Sequence, residues 1–287
     1  MSAHVTVGYD GSPSAGEAVA WAAGAATARA WPLRIVASYA PALEAEPMAE
    51  YVTPEMHEVL RNSTERSLED ACRLAAARHP DLDVTPVVSP DPPTKALVGD
   101  VGADDLLVLG ASKHRGAAAF WLGSTPRGVV RRSPCPVVVV RGGPTTQPSR
   151  VVVGIDGSVA ADEALTWASA EATRHGSELV IVHAWDYPYP ALDFGSPRGH
   201  DLMRSDAARV LDAAVTRART RHAAAITGLL IEGSAASALL RTAAPGDVIV
   251  VGSRGRGAVA SGLFGSTATA VLERAAVPVA VVRQRTD

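Results

Sequence analysis

Gly252-Ser253-Arg254-Gly255-Arg256-Gly257 is followed, after Ala258 to Phe264, by Gly265-Ser266-Thr267 at a predicted helix start. Glycines after a buried strand let backbone N–H groups approach a ligand closely and take positive φ. Ser266 and Thr267 stand where a hydroxyl caps the helix or reaches a phosphate, and the helix N-terminus attracts anions. Arg254 and Arg256 add charge-assisted contacts. The set suits a polyphosphate. Asp156 before Gly157, and Asp10 before Gly11, each have two readings: a carboxylate on the ligand side, or an Asx-type turn former. His183 falls in a predicted buried strand and reads as a satisfied core histidine rather than a catalytic base.

These residues recur within the chain. His4-Val5-Thr6-Val7-Gly8-Tyr9-Asp10-Gly11-Ser12 returns as Arg150-Val151-Val152-Val153-Gly154-Ile155-Asp156-Gly157-Ser158. Trp21 and Trp167 keep that register, Asp105 to Gly110 matches Asp247 to Gly252, and Gly123-Ser124-Thr125 matches Gly265-Ser266-Thr267. Such self-similarity indicates two copies of one supersecondary unit. A net insertion in the first copy falls most simply in Ala40 to Pro54, and Gly142 to Ser149 reads as a short turn-forming linker. Domains are therefore expected near 1–143 and 150–287.

Each copy alternates short β-branched runs with longer amphipathic stretches. In the second copy the strands are expected at Val151–Ile155, Leu179–His183, Leu229–Ile231, Val248–Val251 and Val279–Val282. Helices are expected over Ala160–His175 and Leu202–Ala218. Continuously apolar strands imply a parallel sheet covered on both faces. The expected fold is α/β, two repeated doubly wound, five-stranded parallel-sheet (Rossmann-like) domains, with ligands beyond the carboxyl ends of the strands.

The spacing Gly252, Gly255, Gly265-Ser266 is G-x2-G-x9-G-S/T, and with Val151 to Ser158 it resembles the ATP-binding universal stress proteins, here as a tandem over essentially the whole chain. The resemblance implies that the adenosine end lies near the tips of strands one and two: Gly154, Ile155 and Asp156, with Ala184 beside the base and Asp186 toward the ribose. It implies that Gly252, Ser253, Arg254, Gly255, Arg256 and Gly257, with Gly265, Ser266 and Thr267, hold ribose and phosphates, and that Mg2+ rides on the phosphates rather than in a protein cage. Trp185-Asp186-Tyr187-Pro188-Tyr189-Pro190 either covers the base or packs as a surface loop. In the first copy the corresponding positions are Gly8, Asp10, Gly110, Lys113, Arg115, Gly116, Gly123, Ser124 and Thr125.

Lys113 stands where the second glycine belongs. If the position needs positive φ, a lysine strains the loop; otherwise its ammonium replaces a lost N–H contact with a full charge. Lys95 is the chain's other lysine, the remaining basic residues being arginine. Ser89-Pro90-Asp91-Pro92-Pro93 also replaces Ile231-Glu232-Gly233-Ser234-Ala235. The second site is thus expected to be the better one.

Composition narrows the function. The 287 residues carry a formal net charge of −3 with 47% hydrophobic residues, so neither a disordered chain nor a non-specific nucleic-acid binder is expected. Cys72 and Cys135 lack metal or redox spacing and read as small core residues in a reducing cytoplasm. No basic and apolar leader opens the chain, and the apolar runs are too short to span a bilayer. There is no GxxxxGK[ST], GxSxG or HExxH motif, no His-x-Gly-His pair and no histidine cluster. Catalytic and protein-held metal residues are therefore expected to be none. The first functional reading is a nucleotide-dependent regulator of stress response or growth state without substantial turnover. The alternatives are a slow ATPase or adenylyl-transfer ligase, a dinucleotide enzyme through the weak GxGxxA match at Gly255 to Ala260, and an interaction module with decayed sites. Relatives of this kind pair through their last strand, so intrachain pairing through Val137–Val140 and Val279–Val282 and a homodimer are expected, with no nucleic-acid or membrane partner.

Overall fold

The computed structural model describes residues 3–40, 53–111, 123–143, 147–186, 197–220, 225–255 and 265–284. The chain divides into two compact units, Met1–Thr146 and Gln147–Asp287. In unit 1 the order is β1 (Val5–Gly8), α1 (Pro13–Arg29), β2 (Leu33–Ser38), α2 (Pro54–Ala76), β3 (Val84–Ser89), α3 (Pro93–Val98), β4 (Leu106–Gly110), α4 (Ser124–Arg132) and β5 (Val137–Val140). Its strands pair in parallel in the spatial order β3-β2-β1-β4-β5. Unit 2 repeats the pattern with β6 (Arg150–Ile155), α5 (Val159–His175), β7 (Glu178–Trp185), α6 (Pro197–Arg219), β8 (Ile226–Glu232), α7 (Ala235–Thr242), β9 (Val248–Gly252), α8 (Ser266–Arg274) and β10 (Val279–Val282). Its parallel order is β8-β7-β6-β9-β10. Both units are α/β folds of the expected doubly wound kind.

Strands β1 and β4 bury every residue but their last glycine, Val5–Val7 in β1 and Leu106–Leu109 in β4. That is why they read as unbroken apolar runs. Helix α1 is buried on most of its circumference through Ala15, Ala18, Ala20, Ala22, Ala23, Ala25 and Ala26 around Trp21. Small side chains let it lie very close to the sheet. Ser12 starts α1 by accepting the Ala15 N–H on Oγ at 3.2 Å, and Ser158 does the same for α5 through Ala161.

Several elements are longer than their sequence signals. Strand β8 begins at Ile226 rather than Leu229, because Thr227 and the weak strand former Gly228 are carried by the ladder to β7. Helix α6 begins at Pro197, a residue whose missing N–H costs nothing in a first turn.

At the opposite end from the glycine loops, buried carboxylates fasten each unit. Asp247 accepts Arg150 Nη2 at 2.6 Å and the Ala244 N–H at 2.8 Å, and this partner holds the Arg150 guanidinium above its ordinary pKa. In unit 1 Asp105 holds the backbone N–H groups of His4 and Gly102 in the same way.

Cys135 is fully buried just before β5, where its N–H donates to Ser133 Oγ at 3.2 Å. Burial pushes its thiol up to about 11 from 9.0. In the unfolded chain the thiol ionises first, so stability is intact below pH 9 and falls as pH rises from about 9 to about 11. The loss is expected to be roughly 2–3 kcal/mol. Urea unfolding at pH 8 and pH 10.5 should show a steeper loss in wild type than in Cys135→Ala; equal losses would contradict this.

Candidate functional site

In each sheet the chain leaves the first strand on one side and returns to the fourth on the other, so their carboxyl ends open a crevice. Gly8 and Gly110 end β1 and β4; Gly154 and Gly252 sit at the ends of β6 and β9. In unit 1 the crevice is a cavity of about 240 Å³ lined by Gly8, Asp10, Gly110, Gly123, Ser124 and Thr125, six of the residues singled out by spacing. Tyr9, Ser12, Ser14 and Ser38 line it too and escaped the sequence reading. Ser38 was detectable: Gly8 pairs with Val36 and Gly154 with Val182, so Ser38 is the counterpart of Ala184.

Of the two readings of the aspartates, the turn-forming one is what their geometry shows. Asp156 Oδ1 accepts the Ser158 N–H at 2.9 Å and Asp10 Oδ1 that of Ser12 at 3.0 Å, with Gly157 and Gly11 at φ 75° and 77°. These are Asx turns. The second oxygen of Asp156 is turned to the glycine loop, where a Cβ built on Gly255 would lie 2.6 Å from Oδ2. His183 is a core residue whose Nδ1 donates to the Ile155 carbonyl at 2.8 Å, holding the strand end from which Asp156 projects.

The glycines differ from expectation in one respect. None of Gly110, Gly123, Gly252, Gly255 and Gly265 takes positive φ. Their reason is close approach. A Cβ on Gly252 would stand 2.8 Å from the Ala160 carbonyl oxygen, and one on Gly110 only 2.3 Å from that of Ser14. Gly8 and Gly154 similarly leave room for Leu97 and Leu239. The strain alternative for a lysine at the second glycine position therefore does not apply at Gly255; a facing carboxylate does.

The hydroxyls at the loop's end are not caps. The residues that precede α4 and α8 are Gly123 and Gly265, and neither helix has a side-chain cap bond, whereas Ser12, Thr53, Ser158 and Ser234 each cap theirs. A glycine cap leaves the first-turn N–H groups of a helix unmet by any capping side chain at the end that carries its positive dipole. Gly265 also donates to the Ser253 carbonyl at 3.1 Å, which draws the start of α8 onto the loop after β9. Arg254 is exposed beside it. Burial, and then the charge of Arg254, hold the Arg283 guanidinium below its usual value, so positive charge gathers on this side.

The loop from β6, the loop from β9 and the start of α8 thus meet, while Ala184 and Asp186 lie at the end of β7, one strand over from Asp156. Lys113, Arg115, Gly116, Arg256 and Gly257 lie outside the described residues, as do 187–190 of the aromatic loop. Among the described residues no group of three or more His, Cys, Asp and Glu side chains is placed to hold a metal ion, and no helix is long and apolar enough to cross a membrane.

Two universal stress proteins of Mycobacterium tuberculosis strain H37Rv, Rv2005c and Rv2623, are each 31% identical to this chain over 296 residues, covering 98% of it and 97% and 96% of their own lengths. The crystal structure of a universal stress protein from Archaeoglobus fulgidus DSM 4304 superposes with a TM-score of 0.71 at 21% identity, covering all of both chains, which is a likeness of fold. The model of the universal stress protein family matches twice, at residues 1–141 and 148–283. With that double match over its two repeated crevices, the chain belongs to the universal stress protein family and carries two of its domains in tandem.

Proposed function

We propose that this protein is an ATP-binding regulator of stress response or growth state, acting through nucleotide occupancy rather than substantial turnover, in the cytoplasm. The observation that carries the reading is the pair of glycine-capped helix starts set against crevice glycines that leave no room for side chains. First-turn N–H groups without a side-chain cap, a dipole and nearby arginines form a receptor for phosphates. In unit 2, Gly154, Ile155 and Asp156 with Ala184 and Asp186 take the adenosine end; Gly252–Gly257 and Gly265–Thr267 take ribose and phosphates. Mg2+ enters on the phosphates and neutralises part of their charge. In unit 1 the corresponding residues are Gly8, Asp10, Gly110, Lys113, Arg115, Gly116 and Gly123–Thr125.

Isothermal titration of nucleotide-free protein with ATP and Mg2+ should give saturable binding. Absence of any heat and of any ATP-dependent rise in melting temperature would overturn the proposal. Phosphate release should stay far below ordinary enzyme rates; multiple turnovers faster than about 1 per second would favour the ATPase reading instead.

A further inference from the structure

The two outer strands β3 and β8 expose their free edges differently. The Leu33 N–H donates to the Asp83 carbonyl and that of Tyr39 to Ser89, so the odd-numbered residues of β3 bond to β2 and Val84, Pro86 and Val88 turn their main chain outward. Pro86 thus removes the N–H at the middle of that free edge, a common block to strand addition. In β8 the Leu179 N–H donates to the Ala225 carbonyl and the Gly233 N–H to that of Trp185. The odd-numbered residues therefore bond to β7, and Ile226, Gly228, Leu230 and Glu232 turn N–H and C=O outward. Gly228 pairs with Ile181 as Pro86 pairs with Ile35, so it holds the position of the missing block. No strand covers this edge among the described residues, and it has no charge before Glu232.

The flanking helix is equally unguarded. Leu202 and Met203 of α6 are 67% and 39% exposed, and the same first turns are tied to the end of β8 by His200 Nε2 at 3.5 Å from Glu232 Oε2. Met56 and Val59 of α2 are also exposed, so the strand edge is what distinguishes the two sides.

We propose that β8 is a homotypic interface: a second copy of this chain adds its own β8 antiparallel across a two-fold axis at Leu229. That register is self-complementary. It pairs Ile226 with Glu232 and Gly228 with Leu230, every outward N–H and C=O finds a partner, and the glutamates fall at opposite ends. Leu229 faces Leu229 as a non-hydrogen-bonded pair, where Cα atoms approach to about 4.5 Å. Antiparallel copies also set the exposed Leu202–Met203 end of one α6, with Asp201, beside the Arg217–Arg219 end of the other.

Sedimentation of the full chain over a concentration series should give a dimer of the 29.6 kDa chain. Gly228→Pro removes one outward N–H in each copy and should weaken the dimer by about 100-fold, with the circular dichroism spectrum unchanged. Gly228→Ala keeps the N–H and adds only the Cβ, which meets the tip of Val215 at 3.0 Å, and should keep the dimer. In a Cys72→Ser background, Leu229→Cys should form a disulfide-linked dimer with oxidised glutathione, since facing non-bonded positions suit that bridge. A wild type that stays monomeric, a dimer that survives Gly228→Pro, or a Leu229→Cys protein that does not cross-link would overturn the proposal.

Discussion

Gly110→Ala is expected to destabilise unit 1 by about 3 kcal/mol or more while leaving unit 2 folded. The new methyl would lie 2.3 Å from the Ser14 carbonyl oxygen, 2.5 Å from its carbon and 2.9 Å from the Ala15 nitrogen. All three are main-chain atoms in the first turn of α1, so no rotamer change relieves the overlap. The helix must move off the sheet, and its alanine face then loses contact with β1 and β4, against which it packs. Gly123→Ala is the control, because its Cβ would make an ordinary 3.6 Å contact with Pro126 Cδ. It should cost no more than about 1 kcal/mol, the scale by which alanine is worse than glycine at a cap. Hydrogen exchange followed by mass spectrometry reads each unit separately. Faster exchange should be confined to peptides of residues 3–143 in Gly110→Ala. A loss below about 1 kcal/mol would show that α1 does not seal the crevice as closely as described.

The second large effect concerns the unequal loops. Gly255→Lys should lower the ATP affinity of unit 2 by about ten- to hundred-fold, the scale of one or two lost charge-assisted contacts. Any Cβ there displaces Asp156 Oδ2, and Asp156 is tethered through Oδ1 to the turn that starts α5. The added ammonium also competes for that carboxylate. Lys113→Gly is the reciprocal change, chosen from the G-x2-G-x9-G-S spacing of the first copy. Six of the residues it would complement already line one cavity in unit 1, so the titration stoichiometry should rise toward two ATP per chain. Tight binding by Gly255→Lys would remove position 255 from the site. An unchanged stoichiometry in Lys113→Gly would show that unit 1 is silent for another reason, and the polar lining by Tyr9, Ser14 and Ser38 would be the next place to look.

Much of the fold was legible because its signals are local. Val151–Ile155 and Val279–Val282 were expected as strands, and β6 and β10 span those residues with one added at the start of β6. Both are β-branched runs buried on two faces, the pattern least open to another reading. The limits of β7 and β8 were less legible. Ala184 and Trp185 extend β7 past His183 because β8 pairs with them as far as Glu232. Pro86 inside β3 argues against a strand by composition alone and is tolerated because its nitrogen faces the free edge.

The site divides along the same line. Spacing alone located Gly110, Gly123, Gly252, Gly255 and Gly265, since a repeated motif needs no knowledge of the third dimension. Their purpose was another matter. Close approach of backbone N–H groups to a ligand and positive φ were both expected of the loop glycines; the φ angles are ordinary, and what bars a side chain is the first turn of α1 against Gly110, that of α5 against Gly252, and Asp156 against Gly255. Likewise Ser266 was read as either a cap or a phosphate contact, and the cap is Gly265 with no side-chain bond. Sequence by itself determined the repeat, the alternation of strand and helix, and the family resemblance, because those follow from periodicity and spacing along the chain. Only the tertiary structure decided why each glycine is a glycine, which oxygen of Asp156 is turned to the loop, and which main-chain groups of β8 point away from β7, because each depends on how the folded chain sets its atoms within a few ångströms of one another.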